Sequence, residues 1–165
     1  MNNIFDLSLA ISLFLSGGLK IAYFKYTKNT IFKLNVFPEK IAPAISILMP
    51  LFEISQSIIL ILYNNMISYC FILGYLLFFI ALNLKTYKGG ESKECCCYGK
   101  LIKSKLGLGG LIHYSYWLII LFGSIAALKY NIFIFNNLNF MYILFISLSM
   151  VINGLMIRST IESVE

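Results

Sequence analysis

The chain has 165 residues, of which 59% are hydrophobic and 12% charged, against roughly 45–50% apolar and 25% charged in an ordinary soluble domain. So little charge cannot solvate the surface of a water-soluble fold, and so much apolar material excludes intrinsic disorder. Thirteen basic residues against seven acidic ones give +6; between long apolar runs this balance bears on membrane orientation and anionic lipid, and no basic motif with interleaved aromatics points to nucleic acid.

The charges gather in short lysine-bearing loops, which is the pattern of an all-α, polytopic transmembrane helical bundle in the cell membrane. A span needs roughly 20 apolar residues to cross the hydrocarbon, and the segments at about 4–24, 42–63, 66–85, 109–128 and 138–156 satisfy or nearly satisfy that length. They predict one integral membrane domain over residues 1–165. Runs such as Ile58 to Leu62 are apolar on both faces, which excludes barrel strands.

The first segment has no basic n-region and ends in Ser16-Gly17-Gly18 without an Ala-x-Ala site, so it reads as an uncleaved span. Lys25 to Lys40 mixes lysines with Tyr26, Ile31, Phe32, Leu34 and Phe37, which predicts a short helix in the headgroup region that Pro38 would end; Pro43 suits the first turn of the second span. The longest polar stretch, about residues 86–108, follows the third span and holds three of the four cysteines. Gly107-Leu108-Gly109-Gly110 lacks the Lys-Ser/Thr ending of a phosphate loop and reads as a flexible lead into the fourth span.

Chemistry concentrates in Glu94-Cys95-Cys96-Cys97-Tyr98-Gly99, flanked by Lys93 and Lys100. Thiols in a Gly/Lys/Glu loop do not build a core, and adjacent lysines favour the reactive thiolate while Glu94 opposes them. Cys95 and Cys97 have enough chain slack to close a Cys-x-Cys ring, whereas adjacent cysteines with Cα atoms about 3.8 Å apart would distort the peptide severely. A strained bridge is easily reduced. Consecutive cysteines cannot wrap a zinc tetrahedron alone, and no second Cys/His pair is present, so no metal site is expected. Soft Cu(I) is the ion such thiols would suit. No cofactor is predicted, and a quinone has no supporting motif.

Glu53 falls near the middle of the second span, one turn after Pro50. A carboxyl there costs at least about 2.5–3.5 kcal/mol on insertion scales, so it should face the bundle interior with a partner. Lys20 is the candidate, since the first span ends where the second begins, although helical rise puts Glu53 roughly 10 Å deeper; the alternative for Lys20 is snorkelling to the headgroups. His113, the one histidine, stands one turn into the fourth span, where it either moves a proton or is hydrogen-bonded within the bundle. Cys70, near the start of the third span and so near the opposite membrane face from the cluster, reads as a small buried hydrophobe. No Ser/His/Asp set, His-Glu-x-x-His or paired carboxylates support hydrolase chemistry.

In order, Gly17-Gly18-Leu19-Lys20, Pro50-Leu51-Phe52-Glu53 and Cys95-Cys96-Cys97-Tyr98-Gly99 resemble the MauE branch of the DoxX-like membrane proteins, with its Gly-x-x-Lys, Pro-x-x-Glu and Cys-x-Cys-Phe/Tyr-Gly pattern, over about residues 8–125. The resemblance implies a DoxX-like four-helix core with a fifth C-terminal span. It also implies a redox role in methylamine utilisation, linked to maturation of the disulfide-rich small subunit of methylamine dehydrogenase beside a thioredoxin-like partner. Cys95, Cys97, Gly99, Lys20 and Glu53 are the positions that carry over. Cys96 stands where the family often has Gly, and His113-Tyr114 where it often has Arg-Asn.

The expected function is thiol–disulfide exchange through Cys95 and Cys97, in the lipid bilayer, on a disulfide-bearing client, with Cys96, Gly99, Lys20, Glu53 and His113 in support. The rival is a non-enzymatic assembly or immunity factor whose cysteines bind a partner or Cu(I). Twelve of the thirteen basic residues lie on the side of the cysteine loop, which the positive-inside rule places in the cytoplasm, whereas lasting disulfide formation calls for the outer face.

Overall fold

A computed structural model of the chain describes residues 4–63, 65–89, 93–95, 98, 104–130 and 140–163. Among them are six helices, α1 (Ile4–Ala22), α2 (Phe24–Leu34), α3 (Ala42–Leu62), α4 (Met66–Lys88), α5 (Leu108–Tyr130) and α6 (Phe140–Glu162), and two short strands, β1 (Lys93–Cys95) and β2 (Ser104–Leu106). All but α2 are long and apolar enough to cross a membrane. Large apolar side chains such as Leu48, Ile58, Phe71, Ile119, Phe145 and Met156 point outward, a surface that water would not tolerate and that lipid solvates.

The helices outrun the apolar segments where polar contacts sustain them. Lys85 and Lys88 lie in the last turn of α4, where basic groups suit the negative end of the helix dipole. The last turns of α6 are tied by the Arg158–Glu162 pair at i,i+4. Asn65 starts α4 by accepting the Ile67 N–H at 3.1 Å. The amphipathic α2 buries Thr27, Thr30 and Ile31 and exposes its lysines. It ends at Asn35, whose left-handed backbone returns its N–H to the Phe32 carbonyl; Pro38, expected as the stop, comes three residues later.

α1 is the hub, touching α2, α3, α5 and α6. Polar cross-links hold it there: Ser57 Oγ donates to the Ala10 carbonyl at 2.8 Å, Tyr69 Oη to Asp6 at 2.8 Å, and Ser147 Oγ to the Ile4 carbonyl at 3.3 Å. Such bonds hold helices together where lipid supplies no hydrophobic drive. Gly17 lets α1 and α3 approach closely, because a Cβ there would lie 2.8 Å from Ile54 Cγ1 and 2.9 Å from the Pro50 carbonyl oxygen.

The strands form an antiparallel ribbon, pairing Lys93 with Leu106, Glu94 with Lys105 and Cys95 with Ser104, in the loop that the sequence left without structure. Two expectations are corrected. Gly109 and Gly110 do not loosen the start of α5: they lie inside it, and a Cβ would sit 1.9 Å from Asn83 Oδ1 at position 110 and 2.7 Å from Glu162 Cγ at position 109, so Gly110 serves close approach of α4 and Gly109 of α6. Cys70 is exposed; on a lipid-facing surface a thiol needs no burial, and Tyr69 and Ile72 take the inward positions instead.

Candidate functional site

Every fourth residue of α1 from Ser8 to Lys20 is polar, so Ser8, Ser12, Ser16 and Lys20 form one inward seam. At its end Lys20, 1% exposed, does not snorkel: its ammonium pairs with the carboxylate of Glu53, also 1% exposed. Gly17 and the Glu53 Cβ stand at the same level, one turn below Lys20, and the lysine stem spans the depth that helical rise had put between the charges. Pro50, one turn before Glu53, lies within α3. Glu53 Oε1 also accepts from Tyr75 Oη and from Ser16 Oγ at 3.1 Å, while Lys20 Nζ donates to Ser16 Oγ at 3.0 Å. α1, α3 and α4 thus converge on one ion pair, and Glu53 Oε2 is buried with no hydrogen-bond partner among the described residues.

Glu53 borders a cavity of about 30 Å³ whose wall also includes Ser12, Ser16, Tyr75, Tyr98 and His113. This is room for a water with polar partners on several sides. Across it Tyr98, from the cysteine loop, is 4% exposed; its hydroxyl lies 3.1 Å from His113 Nε2 and 3.5 Å from Ser12 Oγ. Burial pushes the Tyr98 phenol pKa up, so it stays protonated and donates.

His113 Nδ1 faces the Gly154 carbonyl at 2.9 Å, which can only accept, so Nδ1 carries the hydrogen. Nε2 then accepts from Trp117 Nε1 at 3.2 Å and from Tyr98. Both donors fix the neutral tautomer, and His113 is a buried joint between α5, α6 and the cysteine loop.

Cys95 is disulfide-bonded and 3% exposed. It lines an apolar cavity of about 20 Å³ together with Lys20, Ile31, Met49, Phe79 and Leu106. The structure therefore brings together Lys20, Glu53 and Cys95 at one end of the bundle, with His113 reached through Tyr98. Cys96, Cys97 and Gly99 lie outside the described residues. Among the described residues no three His, Cys, Asp or Glu side chains gather as a metal site would require.

Sequence reasoning missed Tyr75, which has no period to mark it, and Ser16, whose i,i+4 relation to Lys20 was the available signal. It also used Arg158 only as a loop charge. Arg158 is buried, donates to Glu162 at 2.7 Å and to the Lys105 carbonyl at 3.0 Å, and so pins β2 to α6; an arginine inside a span is by itself a pointer to such a contact.

The chain matches the family described as methylamine utilisation protein MauE over residues 2–149. It belongs to that family, and it is a multi-pass membrane protein. Comparison with curated proteins and with solved structures returns no match.

Proposed function

We propose that this membrane protein carries out thiol–disulfide exchange, assisting disulfide formation or maturation of a partner protein in methylamine utilisation, with Cys95 and Cys97 as the exchanging pair. The observation that carries the reading is the disulfide at Cys95, in a cavity shared with the Lys20 side chain of the buried ion pair. Oxidising a client dithiol moves two electrons into the bridge; a thioredoxin-like disulfide takes them up again and restores it. Lys20 and Glu53 hold α1 to α3.

The test traps thiols in wild type and in single Cys→Ser variants and reads the gel shift before and after reduction, together with the redox state of a thioredoxin-like partner. Reversible shifts in wild type and Cys96→Ser, lost in Cys95→Ser and Cys97→Ser, are expected. A wild-type protein that shows no reversible shift overturns the reading.

A further inference from the structure

On α4 the residues Phe78, Ala81, Leu82, Lys85, Thr86 and Gly89 fall three or four positions apart or side by side, and so share one face. That face is one wall of a cavity of about 490 Å³, which Leu34, Asn35 and Val36 at the end of α2 and Leu106 of β2 complete. α2 packs on α1, α3 and β1, and α4 on α3, α5 and β2; the cavity lies between α2 and α4. Polarity along its wall follows depth. Phe78 stands near the middle of the 23-residue α4, level with the bilayer centre, and Ala81 and Leu82 continue the apolar part, whereas Lys85, Thr86 and Gly89 lie at the helix end. From Phe78 to Gly89 the rise is about 16 Å, close to half of a hydrocarbon core roughly 30 Å thick and so to the depth of one leaflet.

The polar end is cationic. Lys85 is exposed and pairs with no carboxylate among the described residues. Lys33 and Lys88, also exposed, stand in the last turns of α2 and α4, and none of the lining residues is acidic. Thr86 Oγ1 donates to the Leu82 carbonyl at 2.9 Å, which leaves the Lys85 ammonium and the Asn35 amide as the side-chain donors to an anion. A cleft of this volume, apolar along its length with a few polar groups at one end, suits an amphiphile.

We propose that this groove is a binding site for one anionic phospholipid, with the phosphate at Lys85 and Asn35 and an acyl chain laid along Leu82, Ala81 and Phe78 toward the bilayer centre. A zwitterionic headgroup would bring its own cation to a rim of lysines, and a soluble phosphate would leave the apolar length unused; charge and depth together select an anionic lipid. The lipid fills the gap between α2 and α4. It rests against Leu34, Val36, Phe78, Leu82 and Leu106, which also line the cavity of Cys95, and so stands behind one wall of the candidate site.

The full chain, freed of lipid in detergent, is titrated with phosphatidylglycerol or with phosphatidylcholine of the same chains and weighed intact by native mass spectrometry. Wild type should retain one phosphatidylglycerol at least about fivefold better than phosphatidylcholine, and Lys85→Gln/Asn35→Ala should lose most of that preference. Ala81→Trp, which leaves the charges alone and fills the apolar length, should also release the lipid, whereas Lys28→Gln, at an exposed lysine of α2 outside the groove, should not. Equal retention of the two lipids, unchanged retention in Ala81→Trp, or as large a loss in Lys28→Gln as in the Lys85 variant overturns the proposal. In vesicles, phosphatidylglycerol with a photoreactive group near the end of one chain should cross-link to the stretch from Phe78 to Leu82. Cross-links spread evenly over the outward faces of α3, α4 and α6 would show bulk lipid only, and displacement by glycerol phosphate would show a site for phosphate alone; either result overturns the assignment.

Discussion

Gly17 and Glu53 face each other across α1 and α3 at such short range that a methyl group on Gly17 would lie 3.2 Å from the Glu53 Cβ. The same methyl would meet the Pro50 carbonyl at 2.9 Å, and backbone cannot rotate away as a side chain can. Gly17→Ala should therefore force the helices apart and destabilise the bundle by about 1–3 kcal/mol, as overpacking does. Gly18, next in sequence, has nothing within 4 Å of its would-be Cβ, so Gly18→Ala should be neutral or mildly stabilising. Denaturant titration of both variants in detergent compares them; equal losses would show that close approach at Gly17 is not what matters.

Removing one member of the buried ion pair should harm more than removing both. Glu53→Gln leaves Lys20 charged and without its carboxylate, at a cost of about 3–5 kcal/mol, and Glu53→Leu should do more harm because it also abandons the Tyr75 and Ser16 hydrogen bonds. A Lys20→Met/Glu53→Leu pair should recover much of that loss. Thermal stability of the three variants reads the coupling, and simple additivity would contradict the pairing.

Gly110 and Asn83 should be coupled in the same sense. Asn83 Oδ1 accepts the Gly107 N–H at 3.2 Å and its amide donates to the Phe79 carbonyl at 2.7 Å, so it cannot retreat from a Cβ at position 110. Gly110→Ala should lower stability sharply, and adding Asn83→Ala should return part of it. Failure of the second substitution to relieve the first would place the strain elsewhere.

Tyr98→Phe keeps the ring and loses the bonds to His113 and Ser12, a loss of about 1 kcal/mol. The phenol's pKa stands above its ordinary value because burial opposes the phenolate. The folded state thus holds a proton that the unfolded chain gives up first, and this share of stability is complete below about pH 10 and falls as pH rises beyond it. Alkaline titration should show a shallower decline in Tyr98→Phe; identical slopes would mean that the hydroxyl adds no pH dependence.

Orientation follows from charge once the buried cations are set aside. Lys20 and Arg158 are paired inside the protein, which leaves ten lysines on the cysteine side against Lys129 on the other. The cluster should then resist a membrane-impermeant maleimide in intact cells and react after lysis and reduction. A bridge on the cytoplasmic face would be one that turns over rather than persists. Labelling without lysis would reverse the orientation.

The spans were legible because polar residues, with lysines concentrated on one side, separate the apolar runs, and α2 because Lys25 to Lys40 mixes lysines with Tyr26, Ile31, Phe32, Leu34 and Phe37. Glu53 and Lys20 were legible as charges that lipid cannot accept. Their meeting was not, since axial rise ignores how far a lysine stem reaches. Strands as short as β1 and β2 hold no period for a pattern to reveal. Cys70 and Gly109-Gly110 misled for opposite reasons: outward is not polar in a membrane, and a glycine pair serves close contact as readily as freedom. The cysteine cluster was visible as chemistry, yet nothing in its spacing showed that Cys95 would be buried beside Lys20.

The central place of α1 bears on how the chain comes to be built. This helix leaves the ribosome before the elements that surround it, with Asp6, its serine seam and Lys20 all awaiting neighbours made later. The Ile4 carbonyl is met by Ser147 only when α6 arrives, and Lys20 waits for α3. Insertion and assembly must therefore be separate events: each span enters the bilayer on its own hydrophobicity, and α1 reaches its final surroundings only after α6 has arrived. A chain halted before α6 would expose half-satisfied polar groups to lipid, a mark by which membrane quality control could recognise it.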